Sequence, residues 1–156
     1  MSMDMDMIRG FERLLRHTAS GVERGLALAG SRILQDSILE IPAVPLEEGT
    51  LKGSGSVHVN GKFVEKSASV GGNPTPNTDQ IMSEIKLRDT MSALVGFNTP
   101  YAAYQHEEER QDGTHKVTNY THSGSGGKFL EKKLFGNASR YLEIVARTLR
   151  RELGNG

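Results

Sequence analysis

The spacing of hydrophobic residues predicts a long helix near the start of the chain. From Ile8 to Glu40, apolar residues recur every three or four positions, as on one face of an α-helix. The helix must end before Pro42, because the residue preceding a proline disfavours helical backbone. A glycine inside a helix costs about 1 kcal/mol relative to alanine, so this helix should depend on neighbours for its order. The glycines that interrupt it are Gly10, Gly21, Gly25 and Gly30.

A different pattern, strict alternation, predicts a β-hairpin in the next part of the chain. The stretch VHVNGKFV flanks Asn60-Gly61, the pair that best fits a type I′ turn. We therefore expect Gly55–Val59 to pair with Lys62–Glu65, with the strand entered from Thr50 onward. Apolar alternation over residues 81–98 predicts one or two further strands.

Two more helical segments follow these strands. Residues 100–110 predict a short helix with Pro100 in its first turn and Thr99 as N-cap. Residues 128–153 are amphipathic, with a break at Gly136-Asn137 and Asn137 or Ser139 capping the second piece. The order predicts an α+β fold: a long N-terminal helix, a small antiparallel sheet with a hairpin, and the short and C-terminal helices packed on one face.

The length of 156 residues suits a single domain over 1–156. We expect residues 1–7 to be disordered, and residues 65–80 and 111–127 to be flexible loops or arms because of their Gly, Pro, Asn and Ser content. Within the last range, HKVTNYTH is β-prone and predicts an edge strand or an arm, while SGSGG is typical of a hinge.

Composition excludes several classes of protein. Lys+Arg 19 against Asp+Glu 19 gives no net charge, which argues against a general nucleic-acid binder. The absence of cysteine excludes disulfides and thiolate metal sites. No apolar run approaches the roughly 20 residues of a membrane span. The start, MSMDMDM, lacks the regions of a secretory signal.

A cluster of histidines and carboxylates is the main candidate for chemistry. Neighbouring side chains on a helix point in different directions, so we do not expect residues 106–109 to converge on one metal ion. No HExxH or G-x-S-x-G motif is present, and we predict no catalytic site, metal or cofactor. A small metal-dependent hydrolase remains the alternative from another class. Its candidate residues are His106, Glu107, His115 and His122, beside Glu108 and Glu109.

The two tyrosines of the short helix predict a packing role. Tyr101 and Tyr104 lie three positions apart and therefore share a helix face. Tyrosine suits both core packing and protein–protein contacts, because it has a large apolar body and a polar tip. We expect both residues to be packing anchors, with 106–109 as a polar surface near a subunit boundary.

Three motifs in order carry a resemblance to a known family. They are GTLKGS at 49–54, VGFNTPYAAYQHEE at 95–108 and GGKFLEKKL at 126–134. With a long helix before and another after, the chain resembles the minor capsid, neck or tail-completion proteins of long-tailed bacteriophages. The sequence departs from that pattern in its long 65–80 loop and at Glu48, where the family has threonine.

The resemblance implies a structural virion protein and no enzyme. Such proteins form rings, usually sixfold, at the head–tail junction, and are made in the host cytoplasm. The implied partners are further copies, head-completion or connector proteins, and the tail terminator or tail tube protein, with no membrane. DNA would pass through the lumen without sequence-specific binding. A tail terminator that caps the tail tube is the nearest alternative. The expected packing or interface residues are Thr99, Pro100, Tyr101, Tyr104, His106, Glu107, Phe129 and Leu130.

Overall fold

The computed structural model describes residues 2–45, 50–67, 91–99, 101–107 and 123–154. These residues form a mixed α+β fold, which confirms the predicted fold class. Among them, no helix is both long and apolar enough to cross a membrane. The helices are α1 Ser2–Leu39, α2 Thr50–Gly53, α3 Ala102–Glu107, α4 Phe129–Gly136 and α5 Ala138–Gly154. The strands are β1 Gly55–Val59, β2 Lys62–Lys66 and β3 Ala93–Phe97.

Helix α1 starts earlier than the hydrophobic pattern indicates. It runs from Ser2, so the prediction of a disordered segment over residues 1–7 is wrong from Ser2 onward. Residues 2–7 contain neither glycine nor proline, and methionine is a good helix former. The helix is therefore continuous over 38 residues.

The hairpin forms with the predicted turn, but a β-bulge between Val57 and His58 shifts the register beyond the first two pairs, and β2 extends to Lys66 instead of ending at Glu65. Val59 lies opposite Lys62, and the turn residues Asn60 and Gly61 have φ angles of 49° and 79°. Positive φ at both central positions is the requirement of a type I′ turn. The order of the three antiparallel strands is β2-β1-β3, with Val57 opposite Val95.

The approach to β1 differs from the prediction of a strand from Thr50. Residues 50–53 form a helical turn, α2, and the strand begins at Gly55. This turn buries Leu51, which is 1% exposed and joins the core beside Phe129. The hydroxyl of Ser54 donates to the carbonyl oxygen of Leu51 at 2.7 Å and closes the turn.

Glycines let α1 pack closely against α5 and the sheet. A methyl group added at Gly25 would lie 2.9 Å from the Cα of Val145, and one at Gly30 would lie 2.6 Å from a methyl of Val57. Both distances are shorter than non-bonded carbon atoms tolerate. The long helix therefore depends on its neighbours, as its glycine content predicts.

A buried polar contact fixes the start of α5 to the end of α1. The Tyr141 hydroxyl donates to Asp36 Oδ2 at 2.9 Å, and Arg32 Nε lies 2.7 Å from the other oxygen of that carboxylate. Burial, and then the bond to Asp36, raises the pKa of Tyr141 to about 12. The hydroxyl thus remains a donor over the whole neutral range.

The two expected flexible regions are partly described, and there they are held by backbone hydrogen bonds. The Ser67 N–H donates to the Gly55 carbonyl at 2.9 Å, which extends the sheet contact past β2. The expectation of a free hinge at 123–127 is wrong, because Ser125 forms a parallel bridge with Ala43. Residues 68–80 and 111–122, including the predicted edge strand or arm, lie outside the described residues.

One histidine is buried in the central strand without a hydrogen-bond partner. His58 is 1% exposed, and neither ring nitrogen has a partner among the described residues. Its ring and that of Phe63 form a T-shaped pair with centroids 5.5 Å apart. Burial lowers the pKa of His58, because the charged imidazolium is disfavoured away from water.

We therefore predict that the protein loses stability in mild acid through His58. An unfolded histidine titrates near pH 6.5, whereas the folded chain keeps His58 neutral to lower pH. Below about pH 6.5 the unfolded state binds more protons, so the free energy of unfolding falls as the pH drops. Urea unfolding between about pH 5 and 8 should show a shallower dependence for His58→Leu than for the wild type.

A non-titrating substitution on the same strand is the control. Val57 is fully buried, so Val57→Ala should lower stability at every pH and leave the pH dependence unchanged. If the free energy of unfolding depended on pH equally in the wild type and in His58→Leu, His58 would not be the source of the acid sensitivity.

Candidate functional site

Most of the predicted packing residues come together where α3 meets α4. Phe129 is 1% exposed and forms a core cluster with Val44 and Leu51. The partly buried residues that pack against this cluster are Phe97, Tyr101, Ala102 and Leu130. Tyr101, Phe129 and Leu130 thus pack in one cluster, and Tyr104 is half-buried on α3. Pro100 lies outside the described residues.

Thr99 does not cap α3 through its side chain, contrary to the prediction. Its carbonyl oxygen accepts a bond from the Ala102 N–H at 3.0 Å, but its hydroxyl is buried with no partner among the described residues. The helix begins three positions after Thr99, at Ala102. An N-cap residue directly precedes the helix, and its side chain accepts a bond from the second or third helical N–H, so Thr99 is too distant in sequence to do so.

His106 joins the end of α3 to the start of α4. Its carbonyl oxygen accepts the Lys128 N–H at 2.5 Å, and its Nε2 accepts the Glu131 N–H at 3.3 Å. Its ring makes a T-shaped contact with Phe129, at 5.0 Å between centroids. The side chain is only 19% exposed. His106 therefore acts as a structural link between two helices.

We call the place where α3 meets α4, around His106 and Phe129, the joint. A lysine neutralises the carboxylates there. Lys128 Nζ pairs with Glu107 and lies 3.0 Å from Glu131 Oε2. The bond from Lys128, followed by that from His106, lowers the pKa of Glu107. The same bond to Glu107, followed by that to Glu131, raises the pKa of Lys128.

This joint also contains the donor set that comes nearest to a metal site. The expectation that His106 and Glu107 point apart is wrong: Nδ1 and Oε1 lie 2.9 Å apart, because Glu107 ends α3 and its long side chain turns back. Ligand atoms of His106, Glu107 and Glu131 lie within 4.8 Å of one another. The Lys128 ammonium, however, already pairs with both carboxylates. Glu108, Glu109, His115 and His122 lie outside the described residues.

A second candidate is the N-terminal part of α1, from Met5 to Arg16, which we call the overhang. Every residue in it is exposed. Its large apolar side chains are 52% to 70% exposed, which is unusual for six such residues on one short helical stretch. They are Met5, Met7, Ile8, Phe11, Leu14 and Leu15.

The overhang is uncovered because the helix that covers the rest of α1 is too short. Leu149 packs against Gly21, and Val145 packs against Gly25. Because the later residue of α5 contacts the earlier residue of α1, the two helices run antiparallel. Helix α5 ends at Gly154, about level with residue 16 of α1. Phe11 lies about five full turns before the buried Ala29, so both face the same way. The apolar stripe that α5 buries thus continues uncovered into the overhang.

A third feature is an apolar groove beside the other end of α1. It has a volume of about 690 Å³ and lies between α1, α5, α2 and the end of β2. Two of its apolar side chains, Leu28 and Leu39, are 56% and 66% exposed. Its aliphatic lining is formed by Leu28, Leu34, Ile38, Leu39 and Ile144.

Sequence reasoning identified the joint but missed the overhang and the groove. A signal for the overhang was present, because α1 has 38 residues and α5 only 17. An antiparallel partner of that length leaves about half of the longer helix uncovered. The groove carries no comparable signal, since it depends on how α1, α2, β2 and α5 pack together.

Comparisons with family models, with curated proteins and with solved structures found no match to this chain.

Proposed function

We propose that this chain is a structural subunit of the head–tail junction of a long-tailed bacteriophage. Copies would assemble as a ring that joins the portal or connector to the tail and lets DNA pass. The proposal is supported by the resemblance of three motifs, at 49–54, 95–108 and 126–134, to the pattern of neck and tail-completion proteins. The observation that carries the proposal is the overhang, in which each large apolar residue is more than half exposed to solvent.

Exposed apolar surface of this kind favours an assembly role. Contiguous apolar patches on soluble proteins mark contacts with other proteins. Burying such surface contributes about 25 cal/mol per Å², which makes it a strong source of binding energy. The joint between α3 and α4 is packed through the buried Phe129, and its charged groups are paired with one another.

The charge balance suits a ring through which DNA moves. Phosphate contacts from an excess of Lys and Arg hold DNA tightly. This chain has equal numbers of acidic and basic residues. A neutral ring would let DNA slide without sequence-specific binding. A tail terminator must also let DNA pass, so the charge balance fits the neck position and the terminator position equally well.

Deletion of the gene tests this proposal in the phage that encodes it. We expect filled heads and complete tails that remain unjoined, because the subunit that connects them is missing. Electron microscopy of the lysate would count joined particles, and expression of the wild-type chain in trans should restore them.

Two other outcomes would correct the proposal. Tails of irregular length would favour the terminator position, because an uncapped tube has no defined end. Normal yields of joined, infectious particles would overturn the structural role altogether.

A further inference from the structure

We propose that three arginines at one end of the α1–α5 pair contact the phosphates of duplex DNA. They are Arg13 and Arg16 on the overhang and Arg151 on α5, and we call them the arginine surface. All three residues are exposed. The inference rests on the proposed ring, and it names the side of each subunit that faces the DNA passing through.

The arginine surface is distinguished by its lack of ion pairs. The other arginines that the structure describes each pair with a carboxylate. No carboxylate of the described residues pairs with Arg13, Arg16 or Arg151. A guanidinium group is always charged, and its five N–H donors match the geometry of a phosphate. These three groups are therefore available to an external anion.

The three arginines gather at one level of the helix pair. Arg13 and Arg16 are three positions apart, so they are neighbours on the surface of α1. Leu149 packs against Gly21 of the antiparallel helix. Arg151 follows two positions after Leu149 and therefore lies about one turn beyond Arg16. The arginine surface thus spans about 9 Å along the helix axis.

The arginines of α1 and α5 also share one side of the helix pair. Arg24 and Arg151 line the same cavity, of about 330 Å³, between the two helices. Arg13 precedes Arg24 by 11 residues, which is about three full turns, so both project from the same side of α1. An anion on this side can therefore meet guanidinium groups from both helices.

This side is separate from the apolar face of the overhang. Phe11 and Arg13 are two positions apart, which places them about 200° apart around the helix. A protein that covers Phe11 and its apolar neighbours therefore leaves Arg13 open to solvent. The overhang can contact a neighbouring protein on one face and DNA on the other.

Charge spacing favours duplex DNA as the anion. Duplex DNA carries one negative charge per about 1.7 Å of its axis, so three guanidinium groups within about 9 Å can each reach a different phosphate. Proteins that hold DNA tightly make about six to ten phosphate contacts. Three contacts are weak and carry no sequence information, because phosphates do not differ between bases. Such a surface suits DNA that must move past it.

The salt dependence of DNA binding counts these contacts. The full-length chain is titrated into a short labelled DNA duplex of random sequence, and fluorescence anisotropy gives the affinity. For three contacts, raising the salt concentration from about 20 to 80 mM should weaken binding about 40-fold. In Arg13→Gln/Arg16→Gln one contact remains, so the same rise should weaken binding only about three- to fourfold.

A double variant that removes two lysines is the matched control. Lys52 lies on α2 and Lys132 on α4, so neither belongs to the arginine surface. Lys52→Gln/Lys132→Gln removes the same charge as the arginine variant and should keep the salt dependence of the wild type. Urea unfolding should show that Arg13→Gln/Arg16→Gln is as stable as the wild type, because both arginines are exposed.

Three results would overturn the inference. The first is a wild-type chain that does not bind DNA even at low salt. The second is an equal salt dependence for the wild type and Arg13→Gln/Arg16→Gln, which would place the phosphate contacts elsewhere. The third is competition by polyglutamate as strong as that by unlabelled DNA, which would make an acidic protein the partner.

DNA binding and phage assembly separate this inference from the proposed function. If DNA binding behaves as expected but the deletion phage assembles normally, the arginine surface stands and the proposed function fails. If heads and tails remain unjoined but the purified chain does not bind DNA, the proposed function stands and the arginine surface fails.

Discussion

Replacing Phe129 by alanine should lower the free energy of unfolding by about 3–5 kcal/mol. Phe129 is 1% exposed and packs at the centre of the joint, with Val44 and Leu51 around it. Its ring also meets those of Phe97 and His106, at 5.4 and 5.0 Å between centroids. The substitution removes these contacts and leaves a cavity. Urea unfolding followed by far-ultraviolet circular dichroism would measure the change.

A phenylalanine on the same helix is the matched control. Phe135 also lies on α4 but is 73% exposed. Phe135→Ala should change the stability by no more than about 0.5 kcal/mol, as for ordinary surface positions. Similar losses for the two variants would contradict the assignment of Phe129 to the core.

Replacing Gly25 by alanine should destabilise the protein, although alanine is the better helix former. The new methyl group would lie 2.9 Å from the Cα of Val145, and backbone cannot move away as a side chain can. Forcing the two helices apart should cost about 1–3 kcal/mol. The same urea measurement applies.

The opposite result is expected at Gly10, within the same helix. Nothing lies within 4 Å of a methyl group added there. Gly10→Ala should therefore stabilise the monomer by about 0.5–1 kcal/mol through backbone entropy alone. If both substitutions changed stability in the same direction, close packing of α1 on α5 would not explain Gly25.

The elements set by local rules could be predicted from the sequence. The Asn60-Gly61 turn sets the pairing of the residues next to it, Val59 with Lys62 and His58 with Phe63, because asparagine and glycine readily adopt positive φ. The bulge beyond these pairs has no such local signal. The break before Ala138 follows from Gly136-Asn137, since glycine and asparagine favour helix ends. The dependence of α1 on its neighbours follows from the glycines in it.

Other features depend on tertiary contacts and have no local signal. Residues 50–53 form a turn instead of a strand because Leu51 is drawn into the core beside Phe129. The glycine-rich stretch at 123–127 is held by Ala43, which is distant in sequence. Amino-acid composition indicates how flexible a segment would be in isolation. It does not indicate that a residue distant in sequence, such as Ala43, will pair with it.

In the candidate site, too, some features could be predicted from the sequence and others depend on tertiary contacts. The motif residues Tyr101, His106 and Phe129 were recognisable, and they do lie close together. Their arrangement is structural: His106 links two helices, and Lys128 pairs with the carboxylates that could otherwise bind a cation. The overhang proposed for assembly became visible only from the lengths and packing of α1 and α5.

The most direct measurement is a cryo-electron map of the phage particle that carries this chain. The central claim predicts a ring of its copies between head and tail, with the apolar face of the Met5–Arg16 helix of each copy buried against a neighbouring protein. Absence of the chain from the junction, or a ring there in which that apolar face remains exposed to solvent, would contradict it.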